Sequence, residues 1–178
     1  MLELMNELDE VWAQKLNRAI SDAQTSGRTD VADYLTLKAA NDSVRQTSVK
    51  WLFDSLLEIA SQNNRNGLAV AVENENPHRF GFGNANMVGS LLRLRLGVRC
   101  LSVEAGWTRT PADGFMRGGA LAAARIVHFG ILKANENIIL LRAAEAAPQW
   151  FAVDLKEHKK SFDSTNLHRH FRIFTGEI

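Results

Sequence analysis

The chain of 178 residues holds one cysteine, three prolines and one tyrosine. A lone cysteine, Cys100, excludes an internal disulfide framework and any zinc cage built on cysteines. No run of about 18 apolar residues occurs, so no membrane span and no membrane partner are expected. The N-terminal MLELMNELDE is acidic and amphipathic, without the basic start and small-residue cleavage site of a secretory signal. A cytoplasmic location is the resulting expectation. There is no GxSxG nucleophile elbow, no internal repeat and no low-complexity tract.

What is present is the composition of an ordinary globular protein, 46% apolar and 23% charged. The length suits one domain over residues 1–178 with a sizeable core. Net charge is only +1, yet it is unevenly placed. Residues 1–64 carry 6 basic and 10 acidic side chains, residues 65–133 carry 9 and 4, and residues 134–178 carry 6 of each. Eight of the nine cations in the middle segment are arginines: Arg65, Arg79, Arg93, Arg95, Arg99, Arg109, Arg117 and Arg125. The planar guanidinium fork matches carboxylate and phosphate oxygens. It can serve internal pairing with the acidic helices or the grip of an anionic ligand.

Met5, Leu8, Trp12, Leu16, Ala19 and Ile20 recur at spacings of three and four, which predicts a first helix stopped by Ser26-Gly27. Thr29 or Asp30 caps a second, to about residue 40, with Val31, Tyr34, Leu35 and Lys38 inward. Asn41-Asp42-Ser43 reads as a break or fresh cap before a third, striped by Val44, Ser48, Trp51, Leu52, Leu56 and Ile59. After Gly67 the apolar period changes from about 3.6 to 2. Leu68, Val70 and Val72 read as a strand, Asn74 to His78 as a turn, and Arg79 to Phe82 as a short extended piece.

Leu92, Leu94 and Leu96 are apolar at even positions, whereas Leu101, Val103, Ala105 and Trp107 are apolar at odd ones. One strand cannot change phase in this way without a bulge or turn. A hairpin with a type II′ turn at Gly97-Val98 resolves the conflict, pairing Leu96 with Arg99, Leu94 with Leu101 and Leu92 with Val103. Residues 120–129 fit either helix or strand. Asn137 to Ala143 and Gln149 to Leu155 read as strands around a turn at Ala144–Pro148. Phe162-Asp163-Ser164 introduces a last helix with Leu167, Phe171 and Phe174 inward and Gly176 as its stop. The expected fold is α+β: three N-terminal helices within 1–64, then in 67–178 a mainly antiparallel sheet of five to seven strands closed by a C-terminal helix.

The candidate chemistry centres on the stretch GWTRTPADGFMRGG at 106–119. It matches neither GxxxxGK(S/T) nor GxGxxG. If Gly118-Gly119 opens a helix at Ala120, its amides face an anion together with the positive end of the dipole. Arg109 and Arg117 then close on phosphate oxygens and Trp107 offers a stacking face. A plainer alternative is a long surface loop whose glycines only satisfy turn geometry. His168-Arg169-His170 gives no metal pair, because residues i and i+2 diverge by about 200° on a helix. Surface histidines are expected there.

Asp154-Leu155-Lys156, after an apolar run, resembles the acid-x-Lys triplet of magnesium-dependent nucleases of the restriction-enzyme type. Asp113 is the second acid on offer. The resemblance covers only those residues, and Glu157-His158-Lys159 repeats the pattern at once.

These residues favour a non-enzymatic anion-binding module, its ligand nucleic acid or a phosphorylated small molecule. Arg93, Arg95, Trp107, Arg109, Arg117, Gly118 and Gly119 form the expected ligand site, with no cofactor, metal or catalytic residue assigned. One alternative is a magnesium-dependent nuclease using Asp113, Asp154 and Lys156. The other is an assembly subunit that meets a protein partner or a second copy through its acidic helices.

Overall fold

The computed structural model of the protein describes residues 2–142 and 147–178, with every side chain among them except those of 2–9 and 117. The chain divides into two compact units, Met1–Val44 and Arg45–Ile178. The division falls inside a helix.

The first unit comprises α1 (Leu2–Thr25) and the beginning of α2 (Thr29–Arg65). Gly27 takes a left-handed φ of 72°, and the Gly27 and Arg28 amides donate to the carbonyls of Gln24 and Ala23. That closes the last turn of α1 before α2 begins at Thr29. Ala23 and Ala32 are buried on either side of this turn.

α2 runs unbroken from Thr29 to Arg65, so the three expected N-terminal helices are two. Asn41-Asp42-Ser43 contains neither glycine nor proline, and Lys38 Nζ lies 3.0 Å from Asp42 Oδ2 one turn earlier. An i,i+4 pair of this kind supports continuation of the helix rather than a new cap.

In the second unit the rest of α2 is followed by seven strands: β1 (Ala71–Phe82), β2 (Ala85–Leu96), β3 (Arg99–Trp107), β4 (Ala122–His128), β5 (Glu136–Leu141), β6 (Gln149–Val153) and β7 (Lys159–Phe162). Helix α3 (Ser164–Thr175) closes it. The strands form one antiparallel sheet in sequence order, each paired with its predecessor. The β2–β3 hairpin has the expected register, Leu96 opposite Arg99, Leu94 opposite Leu101 and Leu92 opposite Val103. Gly97 has φ 57° and Val98 is not left-handed, the type II′ pattern.

Alternation then sorts the two faces. One carries Leu92, Leu94, Leu101, Val103, Ile126, Ile138 and Leu140, all buried. The same face carries Trp150, whose indole N–H donates to the Ser48 carbonyl of α2, and Arg99, whose guanidinium donates to the Phe174 carbonyl of α3. Leu52 and Leu56 of α2 and Leu167, Phe171 and Phe174 of α3 are buried with it, forming the main core. Asp163 caps α3 with a reciprocal Asn166 bond, and Gly176 ends it in the left-handed region. The Arg99 guanidinium fills the space where a Cβ on Gly176 would stand.

Two further expectations change and one open choice is settled. Asn74 to His78 is not a turn: β1 is continuous, with a register shift between Glu75 and His78. Pro77, which has no N–H, is tolerated there because β1 is an edge strand with a bulge. Residues 122–128 are a strand despite three alanines, because β4 pairs on both sides with β3 and β5. The Lys159–Phe162 segment, for which no strand is expected, is edge strand β7, too short for its alternation to show. Residues 143–146 of the expected Ala144–Pro148 turn lie outside the described residues. No described helix is long and apolar enough to cross a membrane.

Candidate functional site

The second face of the sheet carries a series of charged side chains across β1–β4, with Leu91 buried between Glu75 and Glu104. Parity and register place Glu73, Glu75 and His78 of β1, Arg93 and Arg95 of β2, Glu104 of β3 and Arg125 of β4 on it. These side chains form a continuous series. Arg95 Nε lies 2.7 Å from Glu73 Oε1, and Arg93 Nη1 lies 3.9 Å from carboxylate oxygens of both Glu73 and Glu75. His78 bonds Glu75 (3.2 Å) through Nδ1 and Glu104 (2.8 Å) through Nε2. The other Glu104 oxygen accepts from Arg125 Nη1 at 2.9 Å, and Arg125 Nη2 donates to the Gly81 carbonyl at 2.5 Å.

That last bond measures the shape of the sheet. In a flat sheet β1 and β4 stand three strand spacings apart, about 14 Å, more than the roughly 10 Å spanned by an extended arginine side chain plus one hydrogen bond. The sheet therefore curls toward its charged face. Gly89 and Gly106, paired directly across β2 and β3, permit this. A Cβ on Gly89 would stand 1.9 Å from the Ala105 carbonyl oxygen, and one on Gly106 would stand 2.7 Å from that of Val88. His78 pairs with Gly89 in the ladder and reaches past it from β1 to Glu104 on β3. Only the strand register shows that Gly106, at the start of the 106–119 stretch, has Gly89 as its partner.

The acids that meet Arg93, Arg95 and Arg125 are therefore those of the same sheet face rather than those of the N-terminal helices. Arg65 does reach a helix acid, Glu58, at 3.6 Å. Glu104 is mostly covered, with both oxygens engaged, whereas the Arg95 side chain is half exposed.

The remaining expected site residues lie elsewhere. Trp107 pairs with Val88 and points to the helix-covered face, opposite to Arg93 and Arg95. It is buried, and the Arg109 guanidinium lies 3.8 Å over its ring, where a base was expected to stack. Gly118 and Gly119 lie in a single tight turn with left-handed φ, and strand β4 follows them. No helix opens at Ala120, so the expected dipole contribution at Gly118-Gly119 is absent. The Lys159 ammonium stands beside the position of a Gly118 Cβ. The Arg117 side chain lies outside the described residues.

The loop has a second role. Its residues Met116 and Ala120 pack with Phe80, Met87, Ala123 and Ile139, covering an apolar cluster on the polar side of the sheet. Phe82, Leu141, Phe151 and Val153 extend this cluster. The polar, flexible-looking stretch thus carries a small lid for a second core.

The nuclease candidates close their own turns. Asp113 Oδ2 accepts from the Thr110 and Arg109 amides and the Thr110 hydroxyl, and these backbone bonds hold its carboxyl below the usual range. Asp154 accepts from the Lys156 and His158 amides and the His158 ring, which lower its pKa in the same way. Among the described residues no group of three or more His, Cys, Asp and Glu side chains is arranged to hold a metal ion.

One histidine was misjudged. His168 and Arg169 are exposed on α3, but His170 is buried, with 1% of its surface accessible. It lies three residues after Leu167 and four before Phe174, on the apolar stripe itself, and that spacing was the available signal. His170 meets His128, buried at 2% exposure on β4, and Glu136 on β5.

Comparison with protein-family models, characterised proteins and solved structures finds no match to this chain.

Proposed function

We propose that the protein is a non-catalytic binding module whose charged sheet face takes an anionic ligand, a nucleic-acid backbone or a phosphorylated small molecule. Arg93 and Arg95 supply the contacts. The observation that carries this is their setting: adjacent on one face, substantially exposed, and sharing Glu73. Both carboxylates near Arg93 stand at 3.9 Å, beyond hydrogen-bond distance, so a phosphate at about 2.8 Å offers a better partner for its fork. Glu73 is the group the ligand displaces. Arg109, set on Trp107, enters as a separate contact.

The test is titration with a fluorescent single-stranded oligonucleotide and with inorganic polyphosphate at low salt. Binding is expected to weaken as salt rises, and to weaken further in Arg93→Ala/Arg95→Ala. Arg109→Ala in the same assay tests the second contact. Absent binding at low salt, or binding indifferent to salt, overturns the reading.

The first unit favours a second reading, assembly through its helices. Among its described side chains only Ala23 and Ala32 are buried apolar groups, while Val11, Trp12, Tyr34 and Leu37 are exposed. A unit that buries so little has no core of its own, and an apolar helical stripe is what a helical partner covers. Light scattering checks this: Trp12→Glu/Leu37→Glu is expected to reduce the mass of any assembly formed by the intact chain.

A further inference from the structure

We propose that His128, His170 and Glu136 form an acid-sensitive clip that holds α3 on the sheet and releases it when both histidines are protonated. The clip joins three elements. His128 Nε2 of β4 lies 2.9 Å from His170 Nδ1 of α3, with the rings stacked, and His170 Nε2 lies 2.7 Å from Glu136 Oε2 of β5.

Counting protons shows how it works. With both rings neutral, His128 Nε2–H donates to His170 Nδ1, and His170 Nε2–H donates to the carboxylate. One added proton is tolerated: it enters at His128 Nδ1 while the Nε2 proton passes to His170 Nδ1, so that His170 carries N–H on both nitrogens and its Nδ1–H donates back to His128 Nε2. A second added proton leaves both facing nitrogens bearing hydrogen with no lone pair between them. Two cations then face each other at hydrogen-bond distance in a site from which water is excluded.

The surroundings resist that state. Arg169 of α3 already occupies Glu136 Oε2 at 2.9 Å, and Lys160 of β7 adds positive charge beside the same carboxylate. Phe162 of β7 presents an aromatic ring to His170, 6.1 Å away between centroids. Asn135, before β5, accepts from the His128 amide, and Arg99 of β3 bonds the carbonyl of Phe174 near the C-terminal end of α3. These place one carboxylate against two histidines and nearby cations.

Burial lowers the His128 pKa to about 4, with His170 and Arg169 adding to the effect. The His170 hydrogen bond holds Glu136 below its usual range. For His128 the unfolded chain binds the proton more readily between about pH 6.5 and 4. Its contribution is complete above that window and is lost as pH falls through it. Glu136 acts in the same direction at lower pH.

The measurement is hydrogen–deuterium exchange of residues 164–175 at pH 7 and pH 4.5 in the full chain, corrected for intrinsic exchange. Wild-type α3 is expected to lose protection by about tenfold or more at pH 4.5. His128→Gln keeps an N–H donor toward His170 but cannot take up the proton, and its protection is expected to change less than about twofold. Equal protection at both pH values in the wild type, or equal loss in wild type and variant, overturns the proposal. If the variant does not fold, imidazole NMR titration of the wild type decides. The histidine transition must coincide with α3 opening, and separate transitions overturn the clip.

Discussion

The two faces of the sheet are built by opposite means. On the helix-covered face, alternating Leu, Val and Ile side chains are buried under α2 and α3, and apolar burial does the work. On the other face, four strands are tied by ion pairs and hydrogen bonds running from Arg95 to Arg125, and apolar burial is limited to Leu91 and the cluster that includes Met116 and Ala120. The first face is buried over its centre, while Val72 on edge strand β1 stays exposed. The second keeps side chains in reach of solvent and gains its shape from two missing side chains at Gly89 and Gly106. On the proposed reading, stability and recognition are divided between the faces, with the proposed histidine clip as a polar exception in the apolar half.

The largest way to disturb this division is Gly89→Ala, whose methyl meets main chain rather than a movable side chain. A loss of about 3 kcal/mol or more, or failure to fold, is expected from urea unfolding. Next come truncations on the covered face: Ile126→Ala is expected to cost about 2–5 kcal/mol, and Phe151→Ala on the open face less, because that side chain is only partly buried. Equal costs would erase the distinction between the faces. Acidification from pH 7 to 4 is expected to remove stability on the order of 2 kcal/mol through His128, read as a falling urea midpoint and absent in His128→Gln. Arg125→Ala is expected to cost about 1 kcal/mol, since the pair is partly solvated, and a double-mutant cycle with Glu104→Gln isolates the coupling. Smallest is Arg95→Ala, within about 0.5 kcal/mol on stability, yet with weaker, less salt-sensitive polyanion binding.

What the sequence made legible was local. The β2–β3 register follows from an apolar phase change around Gly97, and α3 from a cap, a stripe and a terminal glycine. Asn41-Asp42-Ser43 misled because such side chains favour caps yet are tolerated in a helix interior, where the ion pair to Lys38 supports continuation. The partners of Arg93 and Arg95 were hidden for a different reason. Glu73 becomes a neighbour only through the β1–β2 register, and the bulge at Pro77 sets which residues follow it across the ladder. His170 lay on a readable stripe, but Glu136 and His128 stand 34 and 42 residues away. Long-range polar partnerships leave no periodic trace, so the candidate site was much less legible than the fold.

The facing glycines of β2 and β3 have a consequence for ancestry. Most core positions drift in compensated pairs, one side chain growing as another shrinks. Gly89 and Gly106 cannot, because each abuts backbone that no neighbouring substitution removes. Any distant relative that keeps this bend must hold glycine at both positions, on adjacent strands joined by a tight reversal. Two glycines 17 residues apart, astride a glycine-led turn, are the inheritance most worth looking for when sequence likeness has faded.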